Sequence, residues 1–545
     1  MSDFSALKMQ SLGRDDDIPE LTSLLLKRTL LISFFIIGFH LVVHPFATYL
    51  HPDTTGSLIS GQALADEGRA VQPFTWDYIA FHKGKSPLPE TLPVVELQED
   101  LRVPTLRYPP GYAWLIATGL KLGFSASQTC LVVFYGVTFL SAFFWQLWAI
   151  RCGISLFRSA ISLSPLVFFG PATTTDPICF LIAVVLLFLL TKELRTSTVF
   201  VACFLMVGAN MIRYASILLV PFWFLACLTR PINLKNKIIV GVSCVIVVCV
   251  DQLSKASRIA GGDPYDDFSG RFPEAYEIAQ ALVFAAIGGW VPSVLWLKIL
   301  LAAFVGCGLL GIALSIKTRE LPRWVVDLAL LQMSSAIVLV VAQYKYGDDF
   351  TQAPLSIARY WRYCAPGLIC AYLYGSSFLY RNSVAIRGSA YHIGRVAVPG
   401  CFSVVLLLCL VDQATVSRIY HSEMVVGADG FSRNPETHAA QDYLRRLNVD
   451  QVLTDHHDTV FGILSLDQRR IRSLYAISGL KVEGQKLIAL VLRKSKKWPF
   501  PHLSPRGGTA KQRFDDTCDA IEERKIGDVI IFVYRCRESR ELDLS

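Results

Sequence analysis

Four carboxylates stand where a mostly apolar chain has few charges. Asp53 lies in HPDTTGSLISGQALADEGRA, a few residues beyond the first long apolar run, and Asp66 and Glu67 close the same stretch. A carboxylate just outside hydrocarbon is readily solvated and sits at the depth of lipid headgroups, where it can take a proton from a hydroxyl. Asp53, with Thr54 and Thr55, equally suits the capping of a short helix running to Arg69. Asp176, in TTTDP, falls where two later apolar runs meet. An ionisable residue at that depth is costly and marks a functional position, yet Asp before Pro is also an ordinary helix start.

Arginines supply the complementary chemistry. Arg213 interrupts an apolar run, and Arg359 and Arg362 flank Tyr360 and Trp361. A guanidinium fork matches phosphate oxygens and can neutralise charge growing on a leaving group. The other reading is snorkelling to headgroups beside an aromatic belt; the phosphate role suits Arg359 with Tyr360, and snorkelling suits Arg362. Arg107 and Tyr108 open RYPPGYAWLIATGLKLGF. Its prolines and glycine break a helix, and the aromatic and aliphatic stretch after them is too short to span, as for a piece lying at the interface.

The elements that must hold these residues follow from composition. The 545 residues are 53% hydrophobic and 18% charged, with a mean hydropathy of +0.43, which excludes an ordinary soluble protein. Apolar runs at about 28–47, 126–150, 155–172, 177–191, 197–211, 214–229, 237–253, 292–316, 324–342, 360–380 and 396–413 make roughly eleven candidate transmembrane helices. Several are short, notably the pair split by Asn210 and Arg213. The net charge of +8 is spread between the runs and forms no basic stripe, so no nucleic-acid partner is expected. The first run follows a segment with Asp15, Asp16 and Asp17, unlike a cleaved signal, and is expected to stay.

Cationic loops are retained in the cytoplasm. A cytoplasmic N-terminus puts Arg151 and Arg158, Lys192 and Arg195, Arg230, Lys235 and Lys237, Lys317, Arg319 and Arg323, and Arg381, Arg387 and Arg395 all inside. The same assignment sends 48–125, 254–291, 343–359 and the tail to the other face. The expected organisation is a cytoplasmic segment 1–27, an all-α polytopic membrane domain 28–413 with the large outer loop 48–125, and a small extracytoplasmic α/β domain 414–545.

In the tail, strand-like runs Gln451 to Thr454, Lys486 to Leu492 and Val529 to Tyr534 alternate with helical stretches Glu436 to Leu447 and Phe514 to Arg524, with a loop at Lys494 to Lys511. Asp455, His456, His457 and Asp458 read as a surface turn, and no Cys/His spacing signals a metal. Of the 14 cysteines only Cys518 and Cys536 lie in the tail, where a disulfide between them or two buried thiols would both fit.

The acid after the first span, the outer loop ending in RYPPGY, GPATTTDP at a later turn, MIRYASILLVP, and SIARYWRYCAPG before a late span together resemble the GT-C superfamily of membrane glycosyltransferases. The branch most similar is that of protein O-mannosyltransferases and aminoarabinose transferases, over residues 28–380. The resemblance implies a sugar donor on a polyprenyl phosphate or diphosphate, transfer with inversion to an acceptor hydroxyl on the extracytoplasmic face, and Asp53 as the acceptor-activating base. That branch often carries two adjacent acids here, whereas Thr54 follows Asp53, so Asp66 or Glu67 is an alternative base. Asp176 completes the catalytic candidates; Arg107, Tyr108, Arg213, Arg359 and Tyr360 are the substrate-binding ones. The active site is expected between the first outer loop, 254–291 and the outer ends of the spans. No cofactor is called for, a divalent ion is left open, and the acceptor is open between protein, lipid and polysaccharide. Nothing resembles a nucleotide-phosphate cradle, in keeping with a lipid-linked donor. The membrane is expected to be a bacterial inner membrane in a cell envelope, with the endoplasmic reticulum obeying the same charge rule. The rival functions are a transporter or flippase of lipid-linked sugars, and a catalytically inactive scaffold.

Overall fold

The computed structural model describes residues 18–43, 47–49, 52–73, 94–97, 102–104, 110–163, 175–256, 294–346, 365–383, short pieces between 400 and 412, 425–427, 434–454, 471–474, 477–493 and 505–544. Two compact units divide the chain. The first comprises Met1–Pro45 and Val133–Ile419, the second Phe46–Val132 and Tyr420–Ser545.

Within the first unit the helices are α1 (Ile18–Val43), α5 (Leu156–Ser162), α6 (Thr175–Leu190), α7 (Thr196–Ile212), α8 (Leu219–Leu228, entered through a 3-10 turn Tyr214–Leu218), α9 (Leu234–Ala256), α10 (Leu295–Lys317), α11 (Arg323–Tyr346) and α12 (Ala365–Ser383), together with most of α4 (Ala126–Arg151). Every apolar run from 28 to 380 thus carries a helix. Among the described residues, those long and apolar enough to cross a membrane lie at Ala126–Arg151, Leu234–Leu253 and Leu295–Lys317, with shorter apolar helices at Pro177–Leu190, Thr196–Ile212 and Ser216–Leu228.

Several of these helices bury polar side chains while exposing large apolar ones. On α1, Thr29 and Ser33 are buried while Phe34 is 80% exposed; on α7, Asn210 is buried while Phe204 is 79% exposed. On α9, Ser243 and Asp251 are buried while Val242, Val245, Ile246 and Leu253 are exposed. Water would favour the reverse arrangement, and hydrocarbon favours this one. The chain is an integral membrane protein.

Burying apolar area cannot hold such helices together, so close approach must. A Cβ at Gly308 of α10 would come 2.8 Å from the Cβ of Tyr372 on α12, and one at Gly311 would fall on the carbonyl of Gly375. Phe304 and Tyr372 complete the seam edge to face at 5.9 Å.

Basic residues gather at one end of this bundle. Arg151 and Lys192 both lie over the Phe188 ring, at 5.1 and 4.8 Å. Arg230 grips Asp327 through both guanidinium nitrogens, at 3.1 and 2.8 Å, and Arg323 meets the same carboxylate at 3.4 Å. The Arg323 guanidinium also donates to the Thr229 hydroxyl, and Arg381 pairs with Glu320 at 3.2 Å.

The second unit joins the chain's two long polar segments. A five-stranded sheet has the order β10 (Asp519–Ile526), β11 (Val529–Arg535), β9 (Leu487–Arg493), β6 (Gln451–Thr454), β7 (Ile471–Ser473). β9, β6 and β7 are parallel, and β11 is antiparallel to β9 and to β10. Helix α14 (Pro505–Thr517) sends Ala510 and Phe514 into the core with Leu453, Leu490 and Phe532. α13 (Pro435–Leu447) starts on Asn434, whose side chain accepts from the Glu436 and Thr437 amides, and ends on Asn448 in the left-handed region.

Two expectations are corrected here. Phe514 to Arg524 is not one helix: α14 ends at Thr517 and β10 begins at Asp519. The charged run has helical spacing, but Gly527 (φ +58) turns the chain so that residues 519–526 pair with β11, and the ladder wins. The loop at 494–511 is likewise shortened, because Pro505 opens a helix. A disulfide joins Cys518 to Cys536, tying the helix end to the end of β11. Burial pulls the nearby Asp515 carboxyl upward, but hydrogen bonds from Lys511 and the Tyr534 hydroxyl outweigh it and hold the group below its usual range.

The sheet order β12 (Arg540–Asp543), β8 (Gly479–Val482), β3 (Val94–Glu96) brings part of segment 48–125 into the tail domain, since β3 runs parallel to β8. β1 (Ala47–Tyr49) pairs with β5 (Val425–Gly427) in the same way, antiparallel. This partnership was not visible in the sequence.

Asp327→Ala leaves two arginines facing an empty position and is expected to cost about 3–5 kcal/mol, read as a fall in the unfolding midpoint in detergent. Joint replacement of Arg230 and Asp327 by Met and Leu recovers most of that loss. Cys518→Ser with Cys536→Ser is expected to destabilise the tail domain by about 3 kcal/mol, the value for a loop of this size, measured by protease resistance of the full chain.

Candidate functional site

α2 (Pro52–Glu67), in the second unit, carries three of the predicted acids. Pro52 opens it, and Gly68 (φ +73), whose amide donates to the Leu64 carbonyl, closes it. Asp53 is in its first turn; Asp66 and Glu67, both exposed, are in its last. At 1.5 Å per residue the two ends are roughly 20 Å apart. No single acceptor atom can be served by both ends, so Asp53 and the later pair cannot share one role.

The helix is held by α3 (Pro110–Lys121), which follows RYPPGY. At Gly61 the two helices nearly touch, and a Cβ there would lie 2.6 Å from Ile116 Cβ and 2.9 Å from the Ala113 carbonyl oxygen. At Gly119 a Cβ would overlap the Thr129 side chain. Tyr112 is fully buried, its hydroxyl donating to Cys130 Sγ at 3.3 Å. The other face of α3 leaves Trp114 and Leu115 exposed, continued by Leu122 and Phe124, the two-sided character of an interfacial helix. Arg107 and Tyr108 lie outside the described residues.

Asp176 and Arg213 belong to the first unit and share one end of it. Asp176 is the second residue of α6, and Arg213 is the single extended residue (φ −151) between α7 and the 3-10 turn. Cys179 Sγ and Ser216 Oγ meet at 2.7 Å, so the backbones of Asp176 and Arg213 each stand three residues from one contact. Arg213 is half-buried. Arg359, Tyr360 and the Asp455 to Asp458 turn are outside the described residues. Among the described residues no group of His, Cys, Asp and Glu could hold a metal ion.

Two polar residues at this end were not singled out in the sequence as site residues. Asn210 is 4% exposed, and neither its amide oxygen nor its nitrogen has a hydrogen-bond partner. Asp251, near the end of α9, is also 4% exposed. Helices α7 and α9 run parallel: the Asn236 amide donates to the Leu194 carbonyl, and Cys203 Sγ meets the Ser243 carbonyl. Those contacts join residues 42 and 40 apart, which sets Asn210 level with positions 250 to 252. The signal for Asp251 was a lone acid continuing the stripe Val240, Cys244, Val247 at helical spacing; only the helix direction revealed what it stands beside. This polar end is opposite the basic one, since α7 begins next to Arg195 and ends at Arg213.

No family model matches the chain, and no curated protein does. Among solved structures it is similar to ArnT from Cupriavidus metallidurans in the apo state, at 9% identity, with 95% of this chain and 98% of that one covered and a TM-score of 0.48.

Gly61→Leu must push α2 off α3 and is expected to destabilise the protein by about 1–3 kcal/mol, whereas Gln62→Ala on the exposed side changes stability by less than about 0.5 kcal/mol; unfolding midpoints in detergent decide between them.

Proposed function

We propose that this chain is a GT-C type membrane glycosyltransferase that moves a sugar from a polyprenyl-phosphate donor to an acceptor hydroxyl on the extracytoplasmic face. The observation that carries the reading is the segregation within the helical unit, with basic links at one end and Asp176, Asn210, Arg213 and Asp251 at the other. Cationic links are retained in the cytoplasm, so the polar end faces outward. The pairing of β3 with β8 supports the same topology, because residues of the first outer segment and of the tail must then share one compartment. The Cys518–Cys536 disulfide fits an oxidising one.

In this mechanism the Asp53 carboxylate accepts the proton of the acceptor hydroxyl as that oxygen attacks the anomeric carbon. The bond from that carbon to the phosphate oxygen breaks with inversion, and the electron pair leaves with polyprenyl phosphate. Arg213 and Arg359 neutralise the phosphate charge, with Arg107, Tyr108 and Tyr360 binding substrate. Asp66 and Glu67, at the far end of α2, are assigned no part in proton transfer. The tail domain lies outside a bacterial inner membrane.

Purified protein in lipid, given radiolabelled polyprenyl-phosphate sugars, is expected to transfer or release sugar. Asp53→Asn should lower turnover by about 10²–10⁴-fold, Arg213→Ala by about 10²-fold, and Asp66→Ala with Glu67→Ala by less than about twofold. Full turnover in Asp53→Asn would remove Asp53 as the base. Movement of intact labelled lipid across the bilayer without transfer would replace the enzyme with a flippase.

A further inference from the structure

The polar end of the helical unit holds more hydrogen-bonding capacity than phosphate binding uses. On α7 the buried positions Val199, Ala202, Met206, Ala209 and Asn210 form one stripe at helical spacing, with Phe200 and Phe204 on the opposite, exposed side. Asn210 therefore points its amide into the bundle rather than into lipid, and Arg213 follows as the extended residue just beyond the helix end. An amide buried to 4% exposure with both polar atoms unpaired is a standing cost to the ligand-free protein. On α9, Asp251 extends the buried stripe Val240, Cys244, Val247 to the same level.

We propose that Asn210 and Asp251 form a sugar-hydroxyl subsite, reading the glycosyl group of the lipid-linked donor. This rests on the transferase reading and specifies which residues select the sugar. The chemistry picks hydroxyls over the alternatives. A carboxylate accepts two O–H groups and an amide both donates and accepts, which suits adjacent hydroxyls of a pyranose or furanose. A second phosphate is disfavoured beside a carboxylate, and a lipid tail would leave the Asn210 amide unsatisfied. A site built to bond a hydroxyl rejects the analogue lacking it strongly, because its own groups are then left unpaired.

The test uses the purified full-length protein in nanodiscs and three probes: bare polyprenyl phosphate, a polyprenyl-phosphate hexose and a polyprenyl-phosphate pentose. The parent is expected to bind one sugar lipid at least about tenfold more tightly than the bare lipid. Asn210→Leu and Asp251→Asn should each abolish that preference and leave bare-lipid affinity within about twofold. Asn210→Leu should also raise the melting midpoint of the ligand-free protein, since it removes an unpaired buried amide. A lowered midpoint in Asn210→Leu overturns the proposal, because the amide then serves the fold. A raised midpoint with the sugar preference intact also overturns it, because the amide then holds only water. Equal loss of bare and sugar lipids overturns it in favour of phosphate binding. If the parent prefers a sugar lipid through these residues yet transfers sugar to no acceptor, the subsite stands and the transferase reading fails.

Discussion

Hydrocarbon as the solvent is the constraint from which the rest of the helical unit follows. Where nothing outside can accept a hydrogen bond, every polar group must turn inward, and every apolar one can face out at no cost. Thr29, Ser33, Ser243, Asn210 and Asp251 are buried for that reason, and Phe34, Phe200 and Phe204 are exposed for it. The same solvent removes the ordinary force for packing helices, so α10 and α12 meet through Gly308, Gly311 and Gly375. Charge that cannot be turned inward is tied at the ends. Arg230 and Asp327 satisfy one another there, with Arg323 closing the group.

Much of this was legible in the sequence because hydropathy and cationic links are local signals. The apolar runs from 28 to 380 each hold a helix, and the strands at 451–454, 487–493 and 529–535 sit where short β-rich runs put them. The miss at Phe514 to Arg524 has the opposite cause. That stretch is helical by spacing, and only a partner strand brought round by Gly527 makes it β10.

Candidate site residues were legible by type and not by company. Asp53 and Asp66 look interchangeable in a string of letters, yet the ends of a sixteen-residue helix are too far apart for one reaction. Asp251 drew no attention in the sequence, lying within the apolar run 237–253. Its meaning depends on α7 and α9 running parallel, which in turn depends on α8 returning the chain between them, a relation no local pattern encodes.

The pairing of β3 with β8 also orders events in the life of the chain. Lys481 reaches Glu96 across a separation of 385 residues, and between them lie the apolar runs that begin at residue 126. The segment holding β3 is therefore made early and cannot complete its sheet until the tail has been synthesised. Until then β3 presents an open edge, and contacts this distant in sequence close slowly. A chain stalled during synthesis displays that edge to proteases and chaperones. The strand pairing acts as a completeness check, in which a segment made early is sheltered only by one made late.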